Sequence, residues 1–148
     1  MRTNLHLGRP RGWVPADPRL RLRWRVRLAG AALAFANAVV YALIGMGVAR
    51  VVEDAAGAGV SLAVFGAMAG TAFLLGAALL VALDNRPAWL VGAAFQLFAS
   101  VAYVDVAPQR TPAYEPWGIG LKVAQAALLV LLVYLALTPA HRRARSAA

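Results

Sequence analysis

The alternation of apolar and polar positions divides the chain into four long uncharged runs separated by short polar joints. The first, residues 28–49, has Asn37 and Tyr41 as its clearly polar members; the second, residues 60–83, has Ser61 and Thr71. The third, residues 88–106, carries Gln96, Ser100, Tyr103 and Asp105, and the fourth, residues 117–137, carries Lys122 and Gln125. About 18 or more consecutive apolar residues mark a bilayer span, and roughly 20 residues rising ~1.5 Å each cover a hydrocarbon layer ~30 Å thick. Backbone amides in lipid need partners within their own segment, which requires helices here. The pattern predicts an all-α fold: an integral membrane four-helix bundle of antiparallel transmembrane helices.

The joints agree with that division. Asp17 followed by Pro18 is a helix start, with a side-chain acceptor at the N-cap and a proline in the first turn, so one helix should begin there and continue into the first span. Before it, residues 1–16 hold Gly8, Pro10, Gly12 and Pro15 without periodicity and read as a flexible arm. Residues 53–59 end in small residues and suit a pliable loop. Asp84-Asn85-Arg86-Pro87 reads as a tight turn with Pro87 opening the next helix, which makes the second and third spans antiparallel neighbours. Pro108, Pro112 and Pro116 stiffen the last joint, and Pro116 can open the fourth helix. Thr138-Pro139 closes it. The expected organisation is an arm (1–16), a four-span domain (17–138) and a basic tail (139–148).

Composition supports the membrane reading, with 61% hydrophobic and 14% charged residues and a mean hydropathy of +0.66, outside the range of soluble domains. Charge then sets the orientation. Of 15 basic residues, all but Arg50, Arg110 and Lys122 fall in the arm, the second joint or the tail, which places both termini on the cytoplasmic side of a cell membrane. The densest basic stretch, DPRLRLRWRVR from Asp17 to Arg27, has the period of a strand but no second strand to pair with. On a helix Arg19, Arg23 and Arg27 form one stripe, with Arg21 and Arg25 nearly opposite. The expectation is a collar of arginines snorkelling to anionic lipid head groups, with Trp24 at the interface. Topology accounts for this arm without a nucleic-acid partner, and the first apolar run exceeds the ~7–15-residue core of a signal peptide.

Chemistry is sparse. Cysteine is absent and the two histidines, His6 and His141, lie outside the spans, so thiol chemistry, Cys-ligated clusters and haem ligation within the bilayer are not expected. No carboxylate sits at the centre of a span, as proton-coupled transport would need, and no triad, HExxH or phosphate loop appears. Neither an enzyme activity nor a cofactor is expected.

The remaining clue is the placement of polar residues within the spans. Gln96, Ser100 and Tyr103 share one face of the third span, Asn37 and Tyr41 one face of the first, and Lys122 and Gln125 one face of the fourth. With Asp105, the natural partner of Lys122, they are candidates for a small outward-facing pocket for a lipid head group or small polar molecule. The plainer expectation is that they tie helices together. Gly66 and Gly70 form a GxxxG pair that lets another helix approach closely, offering a route to a homo-oligomer or a larger membrane complex. Gly30-Ala31-Ala32, Val39 and Tyr41 match Gly92-Ala93-Ala94, Val101 and Tyr103 at a constant offset, which suggests duplicated hairpins. The function expected from the sequence is a non-enzymatic membrane component or accessory subunit, with a small-solute transporter or channel and a lipid-modifying enzyme as alternatives.

Overall fold

The computed structural model describes residues 17–49, 61–106, 108 and 116–138; within the third helix the side chains of Ala102, Asp105 and Val106 are outside the description. The arm of residues 1–16, the loop at 53–59 and the basic tail also lie outside the described residues. Four helices are present, and no strand among the described residues: α1 (Pro18–Gly45), α2 (Leu62–Ala82), α3 (Arg86–Val106) and α4 (Pro116–Leu137). Three of them, α1, α2 and α4, are long and apolar enough to cross a membrane.

Local chemistry sets the helix ends. Asp17 caps α1, its carboxylate accepting the Arg19 backbone N–H at 2.8 Å, and Pro18 occupies the first turn. Ser61 caps α2 by accepting from the Val64 N–H at 3.3 Å, and Pro116 opens α4. The apolar run of the first span extends to residue 49, but α1 stops at Gly45. Gly47 adopts φ +72, and the Val48 N–H reaches back to the Leu43 carbonyl while the Gly47 N–H bonds the Ile44 carbonyl, each at 2.9 Å. This paired closure around a left-handed glycine ends a helix whatever the hydrophobicity of the residues beyond it.

The spatial order of the helices is not the chain order. α1 packs on α2, α3 on α4, and α1 on α4. α2 and α3 do not pack together to a comparable extent, although only residues 83–85 separate them. The tight turn therefore does not make the second and third helices packed neighbours as the joint alone implied: α1 and α4 form the centre, with α2 and α3 on the flanks. A two-fold repeat of hairpins would pair α3 with α2 as α1 pairs with α4, and the packing lacks that symmetry.

α2 meets α1 along a stripe of Gly66, Gly70, Phe73, Ala77 and Leu80, all buried. Gly66 is the point of closest approach, since a Cβ there would lie 2.5 Å from the Gly45 Cα and 2.6 Å from the Tyr41 carbonyl oxygen. The GxxxG edge is thus occupied by α1 of the same chain, and this corrects the expectation that Gly66 and Gly70 serve a second copy.

The molecule is apolar outside and polar at selected points inside. Arg23, Arg27, Asn37, Gln96 and Gln125 are buried, whereas Phe98, Val91, Met68 and Val130 are each about two-thirds or more exposed.

Candidate functional site

Two polar clusters lie at opposite ends of α1. At its N-terminal end, Arg23 and Arg27 stand one turn apart on the buried face, where the last turns of α2 and α4 and the turn before α3 converge. Arg23 grips Asp84 bidentately, Nη2 donating to Oδ1 at 2.6 Å and Nε to Oδ2 at 2.9 Å. Its Nη1 donates to the carbonyl oxygens of Leu135, at 3.0 Å, and Thr138. Arg27 donates from Nε to the Leu80 carbonyl at 2.9 Å and from Nη2 to the Val81 carbonyl at 2.8 Å, and Trp24 lies over its guanidinium at 5.1 Å.

The arrangement has a direct electrostatic cause. The last carbonyls of α2 and α4 have no partner within their own helices and carry the negative ends of the helix dipoles. A planar guanidinium with five donors can satisfy several of these acceptors and a carboxylate together. Hydrogen bonds from Arg23 hold the Asp84 carboxyl below its ordinary value of 3.8, against the opposing effect of burial, and the charges of Arg23 and Arg27 add to that lowering. Trp89 is buried beside the carboxylate, but among the described residues its indole N–H closes no well-formed hydrogen bond.

These positions divide the predicted arginine collar. Arg19, Arg21 and Arg25 are exposed and Trp24 half-buried, whereas Arg23 and Arg27 are turned inward; their assignment to lipid head groups is corrected. The helical stripe Arg19, Arg23, Arg27 was readable, but not which of its members meets the bundle. Asp84, a turn residue by its sequence setting, is the anion of the clamp. The available signal was a lone acid in the joint nearest the arginines.

At the other end of α1, Tyr41, Gln125, Lys122 and Tyr103 come together from α1, α4 and α3. The Gln125 side chain donates from Nε2 to the Tyr41 hydroxyl at 3.0 Å and accepts at Oε1 from Lys122 Nζ at 2.7 Å. Lys122 also donates to the Ala99 carbonyl at 3.2 Å and lies 4.8 Å above the Tyr103 ring. Tyr41 is flanked by Phe73, stacked at 5.5 Å, and by Phe65, edge-on at 5.7 Å. Gly118 makes room for Tyr103, since a Cβ there would lie 2.7 Å from its hydroxyl.

The remaining candidates stand apart from this chain of contacts. Ser100 bonds the Gln96 carbonyl of its own helix at 2.8 Å, and Asn37 donates to the Leu33 carbonyl at 2.8 Å while its Oδ1 has no partner among the described residues. Gln96 is buried, its Oε1 without a partner among the described residues. The Asp105 side chain lies outside the described residues, so its pairing with Lys122 does too. Among the described residues no cluster of His, Cys, Asp or Glu could hold a metal. The four grouped side chains contact one another and bridge three helices, which fits fastening better than an open polar pocket.

Comparison with known protein families, with curated proteins and with solved structures gave no match.

Proposed function

We propose that the chain is a non-enzymatic, multi-pass component of a cell membrane, with four antiparallel spans and both termini cytoplasmic. The observation that carries this reading is the inversion of polarity: guanidinium and amide groups lie inside the bundle while large aliphatic and aromatic side chains cover its outside. In water that surface would drive aggregation; in hydrocarbon it is the favourable arrangement, and polar groups belong between helices. α3 is the fourth span on this reading, since its 21 residues match α2 in length and it runs antiparallel to α4. α1, at 28 residues, extends roughly two turns beyond a ~30 Å layer. Those turns carry Arg19, Arg21 and Arg25 to the head groups of anionic lipid.

Interhelical fastening is then the role of both polar clusters, and assembly with a partner or a second copy runs through the exposed faces of the helices, not the Gly66–Gly70 edge. The test is extraction of the native protein from membranes. Resistance to alkaline carbonate and release by detergent alone, at a mass above the monomer, is the expected result; release by carbonate refutes membrane embedding, and a monomer refutes the role as a component of an assembly.

A further inference from the structure

A cleft between α2 and α3 begins at the clamp end of the bundle and stops near its middle. Its wall on α3 runs from Ala88, in the first turn, to Gln96, and its wall on α2 from Leu80 back to Ala72. At ~1.5 Å per residue each wall is about 12 Å long, close to the ~15 Å of hydrocarbon that one leaflet contributes to a ~30 Å layer. The floor, with Ala34 of α1 and Leu128 of α4, is buried, whereas Leu75, Leu79 and Phe95 on the rim are exposed. A Cβ built on Gly76 meets nothing within 4 Å, so the side of the cleft is open among the described residues.

Charge at the mouth has one sign. Arg86 opens α3 two residues before Ala88 and is exposed; Arg19 is exposed one turn beyond Arg23, on the same α1 stripe. The carboxylate of the intervening turn, Asp84, is already gripped by Arg23 and approached by Arg27 at 3.9 Å. Asp17, the other acid described at this end, caps α1. Basic residues therefore outnumber acidic ones where the cleft meets the surface.

We propose that the cleft holds one acyl chain of an anionic phospholipid from the cytoplasmic leaflet, with its phosphate accepting from Arg86 and further attracted by Arg19. Shape selects an amphiphile, because one end of the cleft lies at head-group level, the other is dry, and the chain can enter sideways from the bilayer. Its methylenes need only the accessible rim of Leu75, Leu79 and Phe95. A helix, ~10 Å across, does not fit a space of about 150 Å³, and a compact polar solute would lose its hydration against apolar walls. Charge selects an anionic head group over a zwitterionic one.

The inference rests on the chain's spanning a bilayer, and the experiment separates the two. The full chain in non-ionic detergent is titrated with phosphatidylglycerol and with phosphatidylcholine of the same chains, and retained lipid is counted by native mass spectrometry. One phosphatidylglycerol should be retained, bound roughly tenfold more tightly than phosphatidylcholine. Arg86→Gln should weaken phosphatidylglycerol about fivefold, the worth of ~1 kcal/mol for one basic residue near an anionic surface, and leave phosphatidylcholine unchanged. Gly76→Phe, which fills the open space, should abolish retention of that lipid. Equal affinities in the unmodified protein overturn the proposal, as does a preference unaltered in Arg86→Gln. Undiminished phosphatidylglycerol binding in Gly76→Phe also overturns it, and puts the lipid on exposed arginines without the cleft. Should Gly76→Phe not fold, Ala72→Phe on the same rim replaces it, and the head-group preference still decides. A chain that stays folded and dispersed without amphiphile refutes the membrane reading before any lipid is added; an embedded chain that retains no phosphatidylglycerol refutes this inference alone.

Discussion

The two ends of α1 solve the same problem with different chemistry. At the N-terminal end, charge is concentrated: two guanidinium groups and one carboxylate join α1 to the ends of α2 and α4 and to the turn before α3. At the C-terminal end, the helices are joined by close contact and by a chain with a single described cation, with the Gly45–Gly66 approach closing α1 on α2 and the Tyr41–Gln125–Lys122 chain linking α1, α4 and α3. The difference follows from where unpaired backbone lies. The carbonyl ends of α2 and α4 both reach the α1 N-terminus, and cations are favoured at that pole. At the other end the grouped side chains come from within the helices, and they bond chiefly to one another, with Lys122 also reaching the Ala99 carbonyl. The clamp should therefore dominate stability, and the outer chain of hydrogen bonds should matter less.

That ranking can be broken by substitution, with unfolding followed by circular dichroism in mixed micelles. The largest loss is expected for Arg23→Ala, about 3 kcal/mol, because Asp84 and the Leu135 and Thr138 carbonyls lose their partner together; this lies at the low end for a broken buried ion pair because Asp84 is partly exposed. Gly66→Ala should follow at about 2 kcal/mol, since its Cβ meets α1 backbone and not a movable side chain. Tyr41→Phe and Gln125→Leu should each cost about 0.6 kcal/mol, the usual worth of an interhelical hydrogen bond in a membrane. A double-mutant cycle on these two should show coupling of the same size. A loss at Tyr41 or Gln125 equal to that at Arg23 would reverse the comparison.

Acid sharpens it further. Because the folded Asp84 carboxyl titrates below its ordinary 3.8, the unfolded chain takes up the proton first. The contribution of Asp84 is fully present above that ordinary value and is lost as pH falls through the lower folded value. Stability should show no Asp84-dependent slope between about pH 8 and pH 5. The acid limb below about pH 4 should be shallower in Asp84→Asn, measured as the difference between the two profiles. Identical acid limbs would contradict the clamp.

Much of the helical pattern was legible because spans and caps are local: Asp17-Pro18 and Pro116 mark starts that need no knowledge of neighbours. The end of α1 was missed because a run of apolar residues measures hydrophobicity and not backbone conformation, and Gly47 acts through φ. The polar stripes located Tyr41, Gln125, Lys122 and Tyr103 at one level because helical periodicity fixes depth and face. Periodicity does not fix which helix stands opposite. Sequence alone therefore points Arg23 and Arg27 to lipid, gives Asp84 only a turn role, and makes α2 and α3, joined by the shortest turn, packed neighbours. Helix order depends on side-chain volumes summed across several interfaces, as where the Gly66–Gly70 edge draws α1 and α2 together.

The central claim, that four helices cross a bilayer with the arginine clamp on the cytoplasmic side, is tested most directly by labelling single cysteines, since the chain has none of its own. Arg19→Cys and Asn85→Cys at the clamp end, and Ser61→Cys and Trp117→Cys at the other, are treated in intact cells with a membrane-impermeant maleimide. The account predicts labelling of Ser61→Cys and Trp117→Cys from outside, and of Arg19→Cys and Asn85→Cys only after permeabilisation. Labelling of all four positions from the same side would contradict it.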